Sequence, residues 1–147
     1  MSAAIPAPAG GPYAGPYVDV LVVRRSPING RGVYTTAELP GRRKLGELSG
    51  TLVRLPQAMR EAVDRKKIYL VQVSQRYALD CSAGNRLRFL NHSCAANCYL
   101  RVYRRRVEVY TRIGIPAGAE LTVDYGATPH RRGMACRCGA PGCRGRL

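Results

Sequence analysis

The C-terminal stretch CRCGAPGCRG places three thiols, Cys136, Cys138 and Cys143, in a segment too rich in glycine to bury a core of its own. Thiols at this spacing suit a structural zinc site, which takes four ligands in a tetrahedron, so one ligand is missing. The donors elsewhere are Cys81, Cys94, Cys98, His92 and His130. His130 would close a local knuckle; a donor from further upstream would tie the tail down onto the body of the chain. Spacing alone does not choose between them.

A chain of 147 residues is large enough for one domain with a real core and no disulfide support. Its first residues, MSAAIPAPAGGPYAGPY, lack the basic start and apolar run of a signal peptide, and no stretch is apolar enough to span a membrane. The expectation is an intracellular protein, cytoplasmic or nuclear, whose six cysteines serve as ligands or core residues. Lys+Arg of 24 against Asp+Glu of 9 gives a formal charge of +15, which favours polyanions such as nucleic acid or an acidic protein face. Nearly all of that charge is arginine, the lysines being Lys44, Lys66 and Lys67.

Residues 1–16, alanine-, proline- and glycine-rich, read as a disordered lead-in, with order beginning near Tyr17. YVDVLVVRR has the β-branched content of a strand and ends at the turn signal SPING. Short β segments follow around Val33 to Thr35, Leu45 to Leu48 and Thr51 to Val53. In LPQAMREAVDRK, Leu55, Ala58, Met59, Ala62 and Val63 form a helical apolar stripe, with Pro56 suited to the first turn. The period then shortens to two in KIYLVQV, RYALD, NCYLRVY and VEVYTR, the last two reading as a hairpin with a basic tip at Arg104, Arg105 and Arg106. ELTVDY is a final strand. Short strands, one helix and no regular βαβ alternation define a mainly β domain.

GNRLRFLNHSCAANC, ELTVDYG and CRCGAPGCRG occur in the order, and at roughly the separations, found in SET-domain lysine methyltransferases with a post-SET cysteine tail, and NGRGVY resembles that family's opening cofactor-binding turn. The resemblance runs from about Val20 to the C-terminus. It implies a SET-domain (β-clip-like) fold over 17–129, a C-terminal pseudo-knot that packs the NHSC and DY strands together, and a zinc-bound post-SET segment over 130–147. In this family the cysteine of the NHSC motif joins the tail cysteines around one zinc ion, so the implied ligand set is Cys94, Cys136, Cys138 and Cys143. Cys81 and Cys98 then read as small apolar residues.

The implied reaction is methyl transfer from S-adenosylmethionine to the ε-amine of lysine in a protein, a histone or another basic tail. A free lysine has a pKa near 10.4, so neutralising it at pH 7 costs about 4.6 kcal/mol. A narrow apolar channel and a nearby cation both lower that cost. No general base is needed; of the two histidines only His92 is plausible as one, and the family resemblance assigns it elsewhere. By position in the motifs, Tyr125 and Tyr69 resemble the tyrosines that wall the channel. Gly30, Arg31 and Gly32 resemble the turn whose backbone approaches the methionine moiety, with Asn91 and His92 on the opposite side and Arg88 and Tyr77 bordering the pocket.

The chain departs from the family pattern at Ala96, where proline is usual, at Arg31, where an aromatic residue is common, and at Val123, where many members carry phenylalanine or tyrosine. Val123 leaves the number of methyl groups added undetermined. Substrate binding by so basic a protein calls for a local acidic or apolar groove, with Glu61, Asp64 and Glu120 as contributors. The competing reading is a zinc-stabilised module that keeps the fold without the activity and binds nucleic acid or a protein partner.

Overall fold

The computed structural model describes residues 5–6, 15–63, 65, 67–126 and 133–147. Eleven strands and one helix follow one another: β1 (Ile5–Pro6), β2 (Leu21–Arg25), β3 (Arg31–Thr35), β4 (Lys44–Leu48), β5 (Thr51–Arg54), α1 (Leu55–Ala62), β6 (Leu70–Gln72), β7 (Tyr77–Asp80), β8 (Asn91–His92), β9 (Cys98–Tyr103), β10 (Arg106–Thr111) and β11 (Glu120–Val123). Short 3-10 turns at Val18–Val20 and Arg86–Phe89 complete the order. The mainly β expectation is met.

The strands form three small sheets, ordered β1-β5-β7-β6, β4-β10-β9 and β2-β3-β11-β8. All pairings are antiparallel except β8 with β11, which run parallel with Thr122 opposite Asn91 and Val123 opposite His92. Parallel neighbours need a crossover between them. Here β9 and β10 supply it, and the result is that two motifs distant in sequence lie side by side. Asn97 fastens the arrangement, its side chain donating to the Glu120 carbonyl at 2.8 Å and accepting from the Thr122 amide at 2.9 Å.

The core lies between the sheets and is aliphatic: Leu21, Val33, Leu45, Leu87, Val107, Val109 and Leu121 are fully buried. In β10 the buried Val107, Val109 and Thr111 alternate with residues of the opposite face, as the period of two requires. Cys81 and Cys98 belong to this core, and burial pushes each thiol up to about 12, which keeps both neutral.

Three local expectations change. Val18–Val20 is a 3-10 turn, and the strand begins only at Leu21. The helix ends at Ala62, with Ala58 and Ala62 buried i to i+4 while Met59 stays 41 % exposed, because so short a helix on β5 covers only its narrow alanine face. Within the lead-in, Ile5–Pro6 pairs with Leu52 and Thr51 as a strand, while 1–4 and 7–14 lie outside the described residues. So do His130, Asp64, Lys66 and the connection 127–132, where the threading of the pseudo-knot would fall.

Candidate functional site

The turn between β2 and β3 is closed by the Ser26 amide on the Gly30 carbonyl at 2.8 Å, with Gly30 at φ +46°, a left-handed conformation that favours glycine. Asn91 on β8 meets this turn with one end of its carboxamide. Its Nδ2 lies 3.1 Å from the Asn29 carbonyl, 2.9 Å from the Arg31 carbonyl and 2.8 Å from Glu120 Oε1. Three acceptors around one amide nitrogen fix its orientation. Among the described residues no donor meets the Asn91 Oδ1, although the residue is buried.

Glu120 is the hub behind that arrangement, accepting from Ser26 Oγ at 2.8 and 2.9 Å and from the Tyr34 hydroxyl at 3.2 Å as well as from Asn91. The packing explains Gly32. A Cβ there would stand 2.1 Å from Glu120 Oε1 and 3.2 Å from Asn91 Nδ2, so only glycine lets the carboxylate sit where it does.

In front of this hub opens a cavity of about 870 Å³, within the range of small-molecule sites. Gly30, Arg31, Arg88, Asn91, Tyr69 and Tyr125 line it together. Gly32, His92 and Tyr77 do not line it. The lining also includes Phe89, the Leu90 segment and Met134 from the C-terminal tail, none of which was expected as a site residue from the sequence. Phe89 is the chain's one phenylalanine; Tyr69 meets it edge-on at 6.5 Å, and the Arg88 guanidinium lies over it at 4.6 Å. That solitary aromatic inside RFLNHSC was the signal available in the sequence. Arg24, Arg25, Arg31, Lys67 and Arg88 line the cavity, and among the described residues no carboxylate does. Glu61 bonds Gln57 on the helix and Glu120 is spent on its hub, so neither supplies the acidic groove expected from the sequence.

Tyr125 donates its hydroxyl to the Leu90 carbonyl and its backbone amide to His92 Nδ1, at 3.0 Å for the latter. Burial, then the nearby Tyr69 and Glu120, pushes the phenol well above its ordinary range. The residue nonetheless keeps 43 % of its surface open. Its hydroxyl is held by the Leu90 carbonyl, and the residue lines the cavity.

His92 is buried, which lowers its pKa and keeps the imidazole neutral at pH 7. Because Nδ1 accepts from the Tyr125 amide, its one proton is assigned to Nε2, which points at Cys94 Sγ 3.3 Å away. Arg144 Nη2 also lies 3.3 Å from Nε2, but a guanidinium cannot accept that proton, and its committed partner is Asp124 at 2.8 Å. His92 therefore joins the Tyr125 strand to the cysteine tail.

Cys94, Cys136, Cys138 and Cys143 gather with all four Sγ atoms within 4.8 Å of one another. A tetrahedral zinc–thiolate site has sulfur–sulfur edges of about 3.8 Å, and Cys94 to Cys136 measures 3.7 Å. Backbone amides point at the sulfurs: Cys94 and Ala140 at Cys138, Arg144 at Cys94 and Gly145 at Cys143, at 3.4 to 3.5 Å. Those amides pull the Cys138 thiol down to about 6, while burial and the neighbouring thiols hold Cys136 up at about 12. Touching thiols ionise one at a time, whereas a dication lets all four be thiolates. The donor set fits zinc, and Cys94 is the upstream donor that meets the three tail cysteines.

Comparison with known proteins agrees with this geometry. Residues 30–126 match the SET domain family. Similar proteins include histone-lysine N-methyltransferase set-2 of Caenorhabditis elegans, 33 % identical over 84 % of this chain, and the H3 lysine-4 specific histone-lysine N-methyltransferase of Saccharomyces cerevisiae, 33 % identical over 84 %. The corresponding Schizosaccharomyces pombe enzyme is 40 % identical over 54 %. The chain belongs to the SET-domain family. It spans only 9 %, 13 % and 9 % of those relatives respectively.

Proposed function

We propose that this protein transfers a methyl group to the ε-amine of lysine in a protein substrate, with a structural zinc ion at Cys94, Cys136, Cys138 and Cys143. The observation that carries the reading is the convergence of Asn91 and Tyr125 on one cavity beside the Gly30 turn. Bound S-adenosylmethionine would supply an electrophilic methyl on a sulfonium. The Asn91 Oδ1, buried and without a protein donor, suits the α-ammonium of such a zwitterion, and Arg31 or Arg88 suits its carboxylate. Gly30 and Gly32 act through the turn: one by its left-handed backbone, the other by leaving room for Glu120. His92 supports the site from behind, holding the Tyr125 backbone.

The cavity wall also helps to deprotonate the substrate. Five cations and no carboxylate among the described residues around it disfavour an incoming ammonium, so the amine sheds its proton to solvent before reaction. Tyr125 stays a neutral phenol; with its proton committed to the Leu90 carbonyl, its oxygen offers lone pairs toward the reacting centre. Tyr69, backed by Phe89, forms a second aromatic wall. Tyr77 has no place in this reading, because its ring lies under Arg105 and outside the cavity. The domain division accompanies it: a catalytic body over 17–129 and a closing tail over 130–147.

The relatives' names specify histones, and a histone tail is the first substrate to test. The test is incorporation of label from S-adenosylmethionine into core histones and lysate proteins by wild type and Tyr125→Phe. Losing the positioning hydroxyl should lower kcat by about 100-fold, on the scale of one transition-state hydrogen bond. Label absent from every substrate, with calorimetry showing no binding of the donor, would leave the chain a zinc-stabilised module instead.

A further inference from the structure

The β9–β10 hairpin turns on Arg104 and Arg105, between the paired Tyr103 and Arg106. Both arginines have positive φ, 49° and 63°. That two-residue turn favours Asn-Gly, because side chains crowd the backbone there. A sequence that spends two arginines on such positions gains something other than hairpin stability, and strain of this kind marks functional segments.

The guanidiniums form a prepared surface. Arg101 and Arg104 lie over the Tyr103 ring at 5.3 and 5.2 Å, and Arg105 lies over Tyr77 at 4.6 Å. Tyr77 pairs with Arg54 across β5 and follows Arg76 in sequence, which adds two exposed arginines beside the three stacked ones. Among the described residues no carboxylate pairs with the two turn arginines. Glu47 is taken by Lys44 and Arg106, and Glu108 by Lys44, Tyr110 and the facing Arg101, while Arg104 and Arg105 form no ion pair.

We propose that this patch, Arg54, Arg76, Arg101, Arg104 and Arg105, binds the phosphate backbone of duplex DNA. Guanidinium forks match phosphate oxygens in pairs, and ring stacking limits the freedom that Arg101, Arg104 and Arg105 lose on contact. A duplex is favoured over a single strand because guanidiniums already cover the aromatic faces, leaving no free platform on which unstacked bases could lie. The inference is independent of methyl transfer: none of the five arginines lines the cavity.

The test is fluorescence anisotropy of a labelled 30-base-pair duplex with the full chain, from 50 to 200 mM salt. Arg104→Asn/Arg105→Gly is compared with wild type and with Arg60→Gln/Arg65→Gln, which removes equal charge from the exposed helix region. The hairpin variant should bind about tenfold more weakly, and its salt slope should fall by about 1.8, since each lost phosphate contact removes about 0.9. Its melting temperature should be equal or higher, because the replacements suit the turn, so weaker binding would not reflect unfolding. The proposal is overturned if the helix variant loses as much affinity, if the hairpin variant loses none, or if polyglutamate competes as well as duplex at equal charge, which would assign the patch to an acidic protein.

Discussion

The β body and the cysteine tail are ordered by different physics. The body encloses an aliphatic core, with nine leucines at 8 % exposure or less, and its strands would pair without any ligand. Residues 133–147 contain no buried residue at all. Their order comes from a bridge between Ala135 and Arg146, a few backbone bonds and four converging sulfurs. Yet Met134 of that tail lines the cavity, and His92 touches Cys94 on one side and Tyr125 on the other. A segment with no hydrophobic stability of its own thus completes a site built by the body, and a metal ion on the four sulfurs would supply the order that burial cannot.

Removing the metal is the strongest way to break this comparison. Cys136→Ser should reduce zinc from one ion per chain to none, as read by a chromogenic chelator, and amide protection in 133–147 should vanish. Far-ultraviolet circular dichroism of the body should persist, and methylation should fall at least about tenfold as Met134 leaves the cavity wall. Simultaneous loss of body structure would show that the two regions share one cooperative transition.

A smaller effect probes the body's side of the site. Gly32→Ala would put a methyl 2.1 Å from Glu120 Oε1, forcing the carboxylate off Ser26, Tyr34 and Asn91. Overpacking of this kind costs about 1–3 kcal/mol, visible in denaturant midpoints. Affinity for S-adenosylmethionine should drop with it, because Asn91 loses one of the acceptors that orient its amide, whereas zinc content should stay at one. Loss of zinc in this variant would mean that the hub and the tail are not separable.

The same division governs what the sequence reveals. Strands with a clean period of two, such as NCYLRVY and VEVYTR, are legible because each decides its buried face locally. The four-cysteine set is legible only with the family motif, since Cys94, Cys98 and His130 all offered plausible chemistry and only folding brings Cys94 within 3.7 Å of Cys136. Val18 to Val20 looked like strand because propensity does not register the Gly15 and Tyr17 carbonyls that capture the Val18 and Val20 amides. Met134 was invisible as a cavity residue, and Phe89 was marked only by its place inside RFLNHSC, since lining a shared space depends on tertiary placement and leaves no periodic mark. Tyr77 illustrates the reverse: its motif neighbourhood suggested the pocket, and the strand register turned it toward the basic hairpin.

Acid sharpens the comparison most finely. On the outer face of β4 and β10, Lys44 bridges Glu47 at 2.7 Å and Glu108 at 3.0 Å, with Arg106 on Glu47, Tyr110 on Glu108 and Arg101 opposite Glu108. Burial is the largest single influence on Glu108 and works to raise its pKa, but the Lys44 and Tyr110 hydrogen bonds and the Lys44 and Arg101 charges together outweigh it and leave the carboxyl below its usual 4.5. A carboxylate lowered on folding stabilises the protein above its unfolded pKa, and that contribution disappears as pH falls through the folded value. Lys44→Met removes the main partner. Lys44 is 40 % exposed, so the loss at pH 7 should be about 1 kcal/mol or less. The gap in melting temperature between wild type and variant should narrow from pH 6 toward pH 3, as Glu108 becomes protonated in both proteins. A gap independent of pH would assign the effect of Lys44 to the packing of its methylenes, and would leave the body as indifferent to its charges as the tail is dependent on its sulfurs.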